Sequence, residues 1–445
     1  MKYGNDMKNV EMITVKNNMC VSCGFCRAVC SSNCIEYELY MGKYIPRIIQ
    51  DKCTECGICI EICPSLNVNF NSRRSCNETE ETLNQYIGRF TKCFSAYSKN
   101  VETRINSVSG GCVTTLIQKL LDTEEYDVAF LVDSFNYLNF CETKAYRKND
   151  NLKDTAKSRY IPISHESMVK YILEKREEKI IVVATSCAVH ALNNVINKFK
   201  LSKEKILILG LFCDKVMNYN IFDYFEDYNK MGESLKNLVF RTKENSVWPG
   251  HLKLEYGNNK SVYLPSLERI ILKDYFVIER CLYCIDKLNQ FADISFGDCY
   301  SKKTKSEKGL NSVIIRSAQG SKVWEKVKDE ISFTETEIDD IYEGQKIDLK
   351  RMNYIFSLIK DSETNLKIYK NLSFIKEIDE LENRHEYEQA IEKLQIGEDY
   401  INNKKILAHE LFKKYYFLRI SRKIKDFIKR ILTELKNNIF KKGVD

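Results

Sequence analysis

The chain has 445 residues, more than one small core needs, and its 44% apolar and 29% charged composition is that of an ordinary water-soluble, multidomain protein. No run of about 18 uninterrupted apolar residues occurs, which excludes an ordinary membrane-spanning helix, and the polar first sixteen residues lack a signal-peptide core, so a cytoplasmic location is expected. The net charge of +7 sits almost wholly in one place: from Leu411 to Asp445 eleven Lys and Arg face three acidic residues, about +8, so the body is near neutral and makes no case for nucleic acid.

Eighteen cysteines remain to be explained, and in a reducing compartment closely spaced cysteines point to metal or catalysis before disulfides. The first elements nearly repeat: Cys20-Val-Ser-Cys23-Gly-Phe-Cys26-Arg-Ala-Val-Cys30 returns as Cys53-Thr-Glu-Cys56-Gly-Ile-Cys59-Ile-Glu-Ile-Cys63-Pro64. In this bacterial-ferredoxin-type pattern C-x2-C-x2-C wraps one cubane, and the fourth cysteine of each run reaches the other cluster. Cys20, Cys23, Cys26 and Cys63 therefore hold one [4Fe–4S] cluster, and Cys30, Cys53, Cys56 and Cys59 the second. Gly24 and Gly57 let each loop turn tightly. Zinc is the competing occupant, but its sites usually take two well-separated pairs. Cys34, Cys76, Cys93, Cys112 and Cys141 fall outside the spacing and read as small buried residues.

A domain is thus expected over 11–70, followed over 71–106 by a polar connector with some helix around Glu78 to Gly88. Apolar runs at Asp127 to Asp133, Ile180 to Ala184 and Ile206 to Phe212, alternating with helical patterns, predict a parallel α/β sheet over 107–232. His251 to Tyr256 and Ser261 to Leu264, joined by Gly257-Asn-Asn-Lys260, predict a hairpin in a second, α+β part over 233–350. The last stretch, 351–445, reads as a helical tail in which Ile420, Ile424, Phe427, Ile431 and Leu435 make one apolar stripe on a basic helix. That stripe serves either to pack on the domain or to lie on an anionic membrane or partner.

Within these elements, Cys187 and Cys213 follow strands, where α/β proteins build sites, and Cys281-Leu-Tyr-Cys284 adds two more thiols. A third metal site and plain buried cysteines both fit this pattern. Ser109-Gly110-Gly111 precedes the amphipathic Val113 to Leu121; glycines at a helix N-terminus admit phosphate, while Ser is also an ordinary cap and Gly an ordinary turn residue. Phe291 to Tyr300 reads as a strand ending in a Gly-Asp turn, with Asp298 free to accept hydrogen bonds from a ligand or simply closing an Asx turn. His165, His190 and His251 read as structural or surface histidines, and no catalytic acid or base is legible.

These pieces, in this order, resemble the family of coenzyme F-420 hydrogenase/dehydrogenase beta subunits, which are iron–sulfur flavoproteins, from about Met19 to Ile331. The family pattern has a ferredoxin module, then segments like Ile87-Gly88-Arg89 and Ser95-Ala-Tyr97, then SGG-x-x-T, here Ser109 to Thr114. It continues with strand-end P-C-Q and F-C-H-G, and with C-x-x-C followed by A-D-I-x-x-G-D, here Cys281 to Cys284 and Ala292 to Asp298; Lys308 to Ile315 looks like its next strand. The resemblance implies FAD, held partly through Ser109, Gly110, Gly111 and Thr114, and a third [4Fe–4S] cluster on Cys187, Cys213, Cys281 and Cys284. The chain departs at Ser186-Cys187-Ala188 and at Phe212-Cys213-Asp214-Lys215, which leaves deazaflavin as acceptor untransferred.

The expected fold class is therefore α+β and α/β multidomain: a ferredoxin-like module, a mixed α/β flavin-binding domain and a helical C-terminal tail. The expected function is that of an oxidoreductase passing electrons between clusters and FAD and on to a deazaflavin or other small molecule, with a ferredoxin-like donor or acceptor as protein partner. A non-catalytic relay subunit is the alternative, and a cluster-based redox regulator a third reading.

Overall fold

The computed structural model describes residues 9–66, 68–70, 85–132, 140–228, 234–257, 260–370 and 383–418. Cys76, most of the expected helix around Glu78 to Gly88 and the stripe from Ile420 to Leu435 lie outside them.

The cysteine-rich module is built round a hairpin. Strands β1 (Ile35–Tyr40) and β2 (Lys43–Ile48) pair antiparallel with Tyr40 opposite Lys43. Met41 and Gly42 both take positive φ, which gives the two-residue turn whose twist matches the strands. On either side lie the one-turn helices Phe25–Ala28 and Ile58–Glu61, entered through Gly24 (φ 82°) and Gly57 (φ 74°) in the left-handed region. The duplicated sequence thus folds as a duplicated loop, turn and helix.

The short β3 (Val68–Asn69) follows, then a sheet of eight strands. In chain order these are β4 (Lys92–Ser98), β5 (Val128–Val132), β6 (Thr143–Tyr146), β7 (Ile180–Thr185) and β8 (Ile206–Leu211). A separate antiparallel sheet, β9 (Leu235–Thr242), β10 (His251–Tyr256) and β11 (Ser261–Leu264), contains the expected hairpin. The chain then returns to the large sheet with β12 (Ile294–Asp298), β13 (Asn311–Ile315) and β14 (Ile331–Glu335).

The order across the large sheet is β14-β4-β13-β12-β8-β7-β5-β6. It is mixed rather than parallel: β5, β7, β8 and β12 run parallel, and β6, β13, β4 and β14 pair antiparallel. The parallel strands are those joined through helices, as crossover geometry requires, whereas β12 reaches β13 through a loop with no helix. The expected connector is also corrected, because β4 and the helix Val101–Asn106 fall inside it. Lys-Cys-Phe-Ser-Ala-Tyr-Ser offers no clear alternation, yet a strand paired on both sides buries its serines as well as its Phe. The domain built on this sheet runs from before residue 107 to beyond 330, with the β9–β11 sheet inserted in it.

Helices Cys112–Asp122 and Ala318–Val327 cover one face of the sheet, with Leu116, Leu120, Val323 and Trp324 against Leu207 and Phe296. Glu166–Glu174 and Ser186–Phe199 cover the other. Phe25, Val29 and Ile62 of the cysteine module join that second core beside Val128 and Phe130, and His165 N donates to Cys23 O at 2.9 Å. The module is therefore fused to the sheet domain through shared apolar packing, not tethered to it.

The C-terminal helices Lys350–Thr364 and Arg384–Glu398 pack Ile355, Ile359 and Leu394 on Ile13, Met19, Leu66 and Leu282. β15 (Tyr369–Lys370) pairs parallel with β3, joining the helical end to the exit of the module. Among the described residues no helix is long and apolar enough to cross a membrane.

Candidate functional site

The cysteine module encloses two cavities, and its thiols divide between them as their spacing requires. Cys20, Cys23, Cys26 and Cys63 line one of ≈ 360 Å³. Cys30, Cys53, Cys56 and Cys59 line another of ≈ 350 Å³, with Cys34 as a fifth thiol. Among the described residues no three His, Cys, Asp or Glu side chains close on a single-ion position. Four thiols spread round one space without closing on a single-ion position fit a cubane better than one zinc. Burial, then mutual repulsion, pushes the Cys23 and Cys26 thiols well up, so these groups ionise readily only against a strongly positive core.

The third cysteine set also converges. Cys187 enters the helix Ser186–Phe199 in its first turn, and its Sγ lies 3.5 Å from Thr185 Oγ1. Cys213 follows β8, its N–H bonded to Lys287 O at 2.9 Å, while Cys281 lies in the short helix Glu279–Leu282 and Cys284 just after it. Burial raises Cys213 well above the usual thiol range, and Cys281, Cys187 and Cys284 add repulsion. Cys281 is pushed up to about 12 by burial, with Cys187 and Cys284 again adding to it.

The sets adjoin. The charge of Cys187 is felt at Cys23, and the buried Arg280 acts on Cys63 on one side and on Cys281 and Cys284 on the other. Arg280 Nε donates to Ser65 O at 3.1 Å, which fixes it at this border. Cys26 and Cys59 couple the two module cavities in the same way.

Beyond Cys213 the surroundings become cationic. Lys350 lies 2.9 Å from the Asp214 carboxylate, and Lys287 Nζ donates to Gln345 O. Burial would raise the Asp214 carboxyl, but Lys350, Lys287 and Lys273 outweigh it and hold it far below its usual range. Asp214 leaves 43% of its side chain open, so the pair with Lys350 reaches the surface. Lys273 Nζ and the Arg269 guanidinium stand 4.3 and 4.5 Å from the centre of the Tyr160 ring. Burial opposes ionisation of Tyr160, yet Arg241, Arg269 and Lys273 bring its phenol below the ordinary value. The chain of charges ends at Lys243, which donates to the carbonyls of Arg104, Ser109 and Lys308 at 2.6, 3.1 and 2.9 Å.

This run of cations links Cys213 to the Ser109 loop, and two of its buried nitrogens, Arg269 Nε and Arg104 Nε, have no hydrogen-bond partner. Such a run of donors suits a multiply anionic group. The glycines of the loop fit one less well than expected. A Cβ on Gly110 would lie 2.6 Å from Ala96 O, and one on Gly111 (φ 83°) 3.3 Å from Arg104 Cα, so both face protein. Ser109 Oγ donates to Leu310 O at 2.5 Å, and Thr114 is half-buried in the helix Cys112–Asp122.

Asp298 is not free either. Its oxygens accept from Arg241 at 2.5 and 3.2 Å and from Trp248 Nε1 at 3.0 Å, so the Gly-Asp turn holds the cation Arg241 in place. Of the histidines, His190 Nε2 lies 2.8 Å from Asp286, and His165 is buried among Phe25 and its neighbours with its ring nitrogen pushed down to about 4 by burial; both are structural. Sequence reasoning missed Tyr160, Arg241, Lys243, Arg269, Lys273, Arg280 and Lys350. Only Arg280, next to Cys281, carried a local signal.

Fold and cavities together define an iron–sulfur electron-transfer protein with a two-cluster module fused to a mixed α/β sheet. Residues 19–67 match the 4Fe-4S dicluster domain, residues 93–170 the N-terminal and residues 177–341 the C-terminal part of the coenzyme F420 hydrogenase/dehydrogenase beta subunit. The chain belongs to that family. It is 23% identical to one subunit of the F(420)H(2) dehydrogenase of Methanosarcina mazei over 76% of this chain and 90% of that one. It is 22% identical to the beta subunit of the coenzyme F420 hydrogenase of Methanosarcina barkeri over 60% and 88%. A chain of the F420-reducing [NiFe] hydrogenase complex from Methanosarcina barkeri superposes with a TM-score of 0.45 at 20% identity, covering 63% of this chain and 92% of that one.

Proposed function

We propose that this protein is an iron–sulfur flavoprotein oxidoreductase in which three [4Fe–4S] clusters connect an external electron carrier to FAD, and FAD to a small-molecule acceptor. In this reading Cys30, Cys53, Cys56 and Cys59 hold the outer cluster, Cys20, Cys23, Cys26 and Cys63 the middle one, and Cys187, Cys213, Cys281 and Cys284 the inner one. The observation that carries it is the unbroken sequence from Cys59 and Cys26 through Cys23, Cys187 and Arg280 to Cys213 and the cationic space beyond.

FAD would lie between Cys213 and the Ser109 loop, supplying the step between one-electron and two-electron carriers. The chain's own residues bind and orient it. Arg269 and Arg104, each with an unpartnered buried nitrogen, would hold its diphosphate, while Ser109, Gly110, Gly111 and Thr114 would shape the wall through backbone position. Asp298 acts through Arg241, holding that guanidinium toward Tyr160. The acceptor is an anionic small molecule, such as a deazaflavin coenzyme, drawn by the same excess of positive charge.

The test is anaerobic purification followed by iron, sulfide and flavin measurement on one sample. About twelve irons and one FAD per chain are expected, and Arg269→Gln should lower flavin content while leaving iron unchanged. About eight irons without flavin would replace this reading with a relay subunit confined to the N-terminal module.

A further inference from the structure

Cys34 lies outside all three cysteine sets, yet it is not placed like an idle core residue. Its Sγ stands 3.4 Å from Cys30 Sγ, and it lines the outer cavity together with Cys30, Cys53, Cys56 and Cys59. It is 3% exposed, so its thiol points into the module rather than to solvent. The middle cavity is lined by four cysteines and has no such companion. The fifth thiol is thus particular to one corner of one site.

Local backbone explains how two thiols share that corner. After Cys30 the chain turns, with Asn33 N donating to Cys30 O at 3.1 Å and Asn33 at positive φ, and it enters β1 with Cys34 O accepting from Ile49 N at 2.8 Å. The turn folds residue 34 back beside residue 30. Sulfurs in van der Waals contact at one edge of a cavity need only side-chain rotation to change places.

Building on the assignment of the outer cluster to this cavity, we infer that Cys34 is a reserve ligand, able to take the iron held by Cys30 while Cys53, Cys56 and Cys59 keep theirs. In the exchange the Cys34 thiol gives up its proton as its sulfur binds iron, and the departing Cys30 thiolate takes up a proton. No electron moves and the charge of the site is conserved. A cluster with two alternative thiols at one corner survives loss or oxidation of either, which suits the position nearest to solvent.

The experiment compares full-length Cys30→Ala with Cys30→Ala/Cys34→Ala, both purified anaerobically, by iron count and by electron paramagnetic resonance of the reduced clusters. The single variant is expected to keep the wild-type iron content with an altered line shape for one cluster. The double variant is expected to lose about four irons, or about one if a three-iron cluster remains. Equal iron and equal spectra in the two, at either level, overturn the inference. Should the alanine variant not fold, Cys30→Ser against Cys30→Ser/Cys34→Ser carries the same comparison, and failure of both single variants to hold the outer cluster also overturns it. Cys53→Ala separates the two levels: if it keeps every iron, the outer-cluster assignment falls and the reserve ligand with it, whereas loss of that cluster leaves only the role of Cys34 at stake.

Discussion

The ammonium of Lys350 lies 2.9 Å from the carboxylate of Asp214, and it feels the charge of Cys213, the cysteine directly before Asp214, and of Cys284. Lys350 begins the helix that follows residues 177–341, the part matched by the family's C-terminal domain. The helical end of the chain thus sets a buried positive charge beside the third thiol set. A fixed cation stabilises the reduced, more negative state of a cluster, so on the proposed reading Lys350→Met is expected to lower the midpoint potential of the inner cluster. A fall on the order of 60 mV would correspond to one tenfold step for a one-electron couple. Potentiometric titration followed by electron paramagnetic resonance reads it, and the two module clusters should stay where they were. An unmoved inner potential would mean that Lys350 is screened from the cluster.

A second ion pair is buried more completely. Lys43 Nζ lies 2.6 Å from Glu398 Oε1 with side chains only 2% and 3% exposed, and Asn18 hydrogen-bonds to both partners. Removing one partner of such a pair leaves a bare charge in apolar surroundings, which costs about 3–5 kcal/mol. Glu398→Ala should therefore unfold at clearly lower denaturant than Lys43→Met/Glu398→Met, which leaves no charge behind. Equal midpoints for the two would refute the burial argument.

Asp361 gives a pH dependence with a definite sign. Burial raises its carboxyl to about 7, while the Ile368 N–H and the nearby Arg280 pull it down less strongly. Since its folded value exceeds the unfolded one, the folded state binds the proton more tightly, and this contribution to stability is lost as pH rises from about 4 to about 7. Asp361→Asn keeps an acceptor for Ile368 N–H without the charge. It should raise Tm by a few degrees at pH 8 and have little effect near pH 4; calorimetry at the two pH values checks this.

The duplicated glycines should respond unequally. Both Gly24 and Gly57 take positive φ, so alanine costs roughly 1–2 kcal/mol at either. At Gly57 a Cβ meets nothing within 4 Å, whereas at Gly24 it would sit 2.6 Å from Ser164 Oγ and 3.1 Å from Glu166 N, where the module seats on the sheet domain. Gly24→Ala should lose more stability than Gly57→Ala in thermal unfolding. The reverse order would show that the seat adjusts freely.

What the sequence disclosed follows from how local each constraint is. Two cubane loops are written in cysteine spacing over a few residues, and the structure gathers those eight thiols into two cavities in the expected sets. Strand-end placement left the third set open between a metal site and buried cysteines, and only the family resemblance favoured the former, because Cys187, Cys213 and Cys281 come from strands and helices that spacing does not relate. β4 escaped notice since its burial comes from neighbours on both sides and not from an alternating pattern. Arg241, which occupies Asp298, lies 57 residues away in sequence, so no local pattern chooses between a ligand contact and an Asx turn there. Lys350 reaches Asp214 from a helix whose own pattern says nothing about metal.

Of the twelve thiols in the three sets, Cys56 alone is exposed, while the rest are half-buried or buried. On the proposed reading the conductor has one bare terminal, and an electron tunnels in or out efficiently only when a partner touches the loop around Thr54 to Gly57. Asp51 and Glu55 stand near that loop in sequence against Lys52, with Glu61 paired to Lys198, so a protein carrier with a basic contact face would meet it fastest in dilute buffer and more slowly as salt screens the attraction. Traffic at this terminal is thus set by collision, and traffic at the cationic end by the fit of a small molecule. A stopped-flow salt series that moved both ends alike would argue against that division.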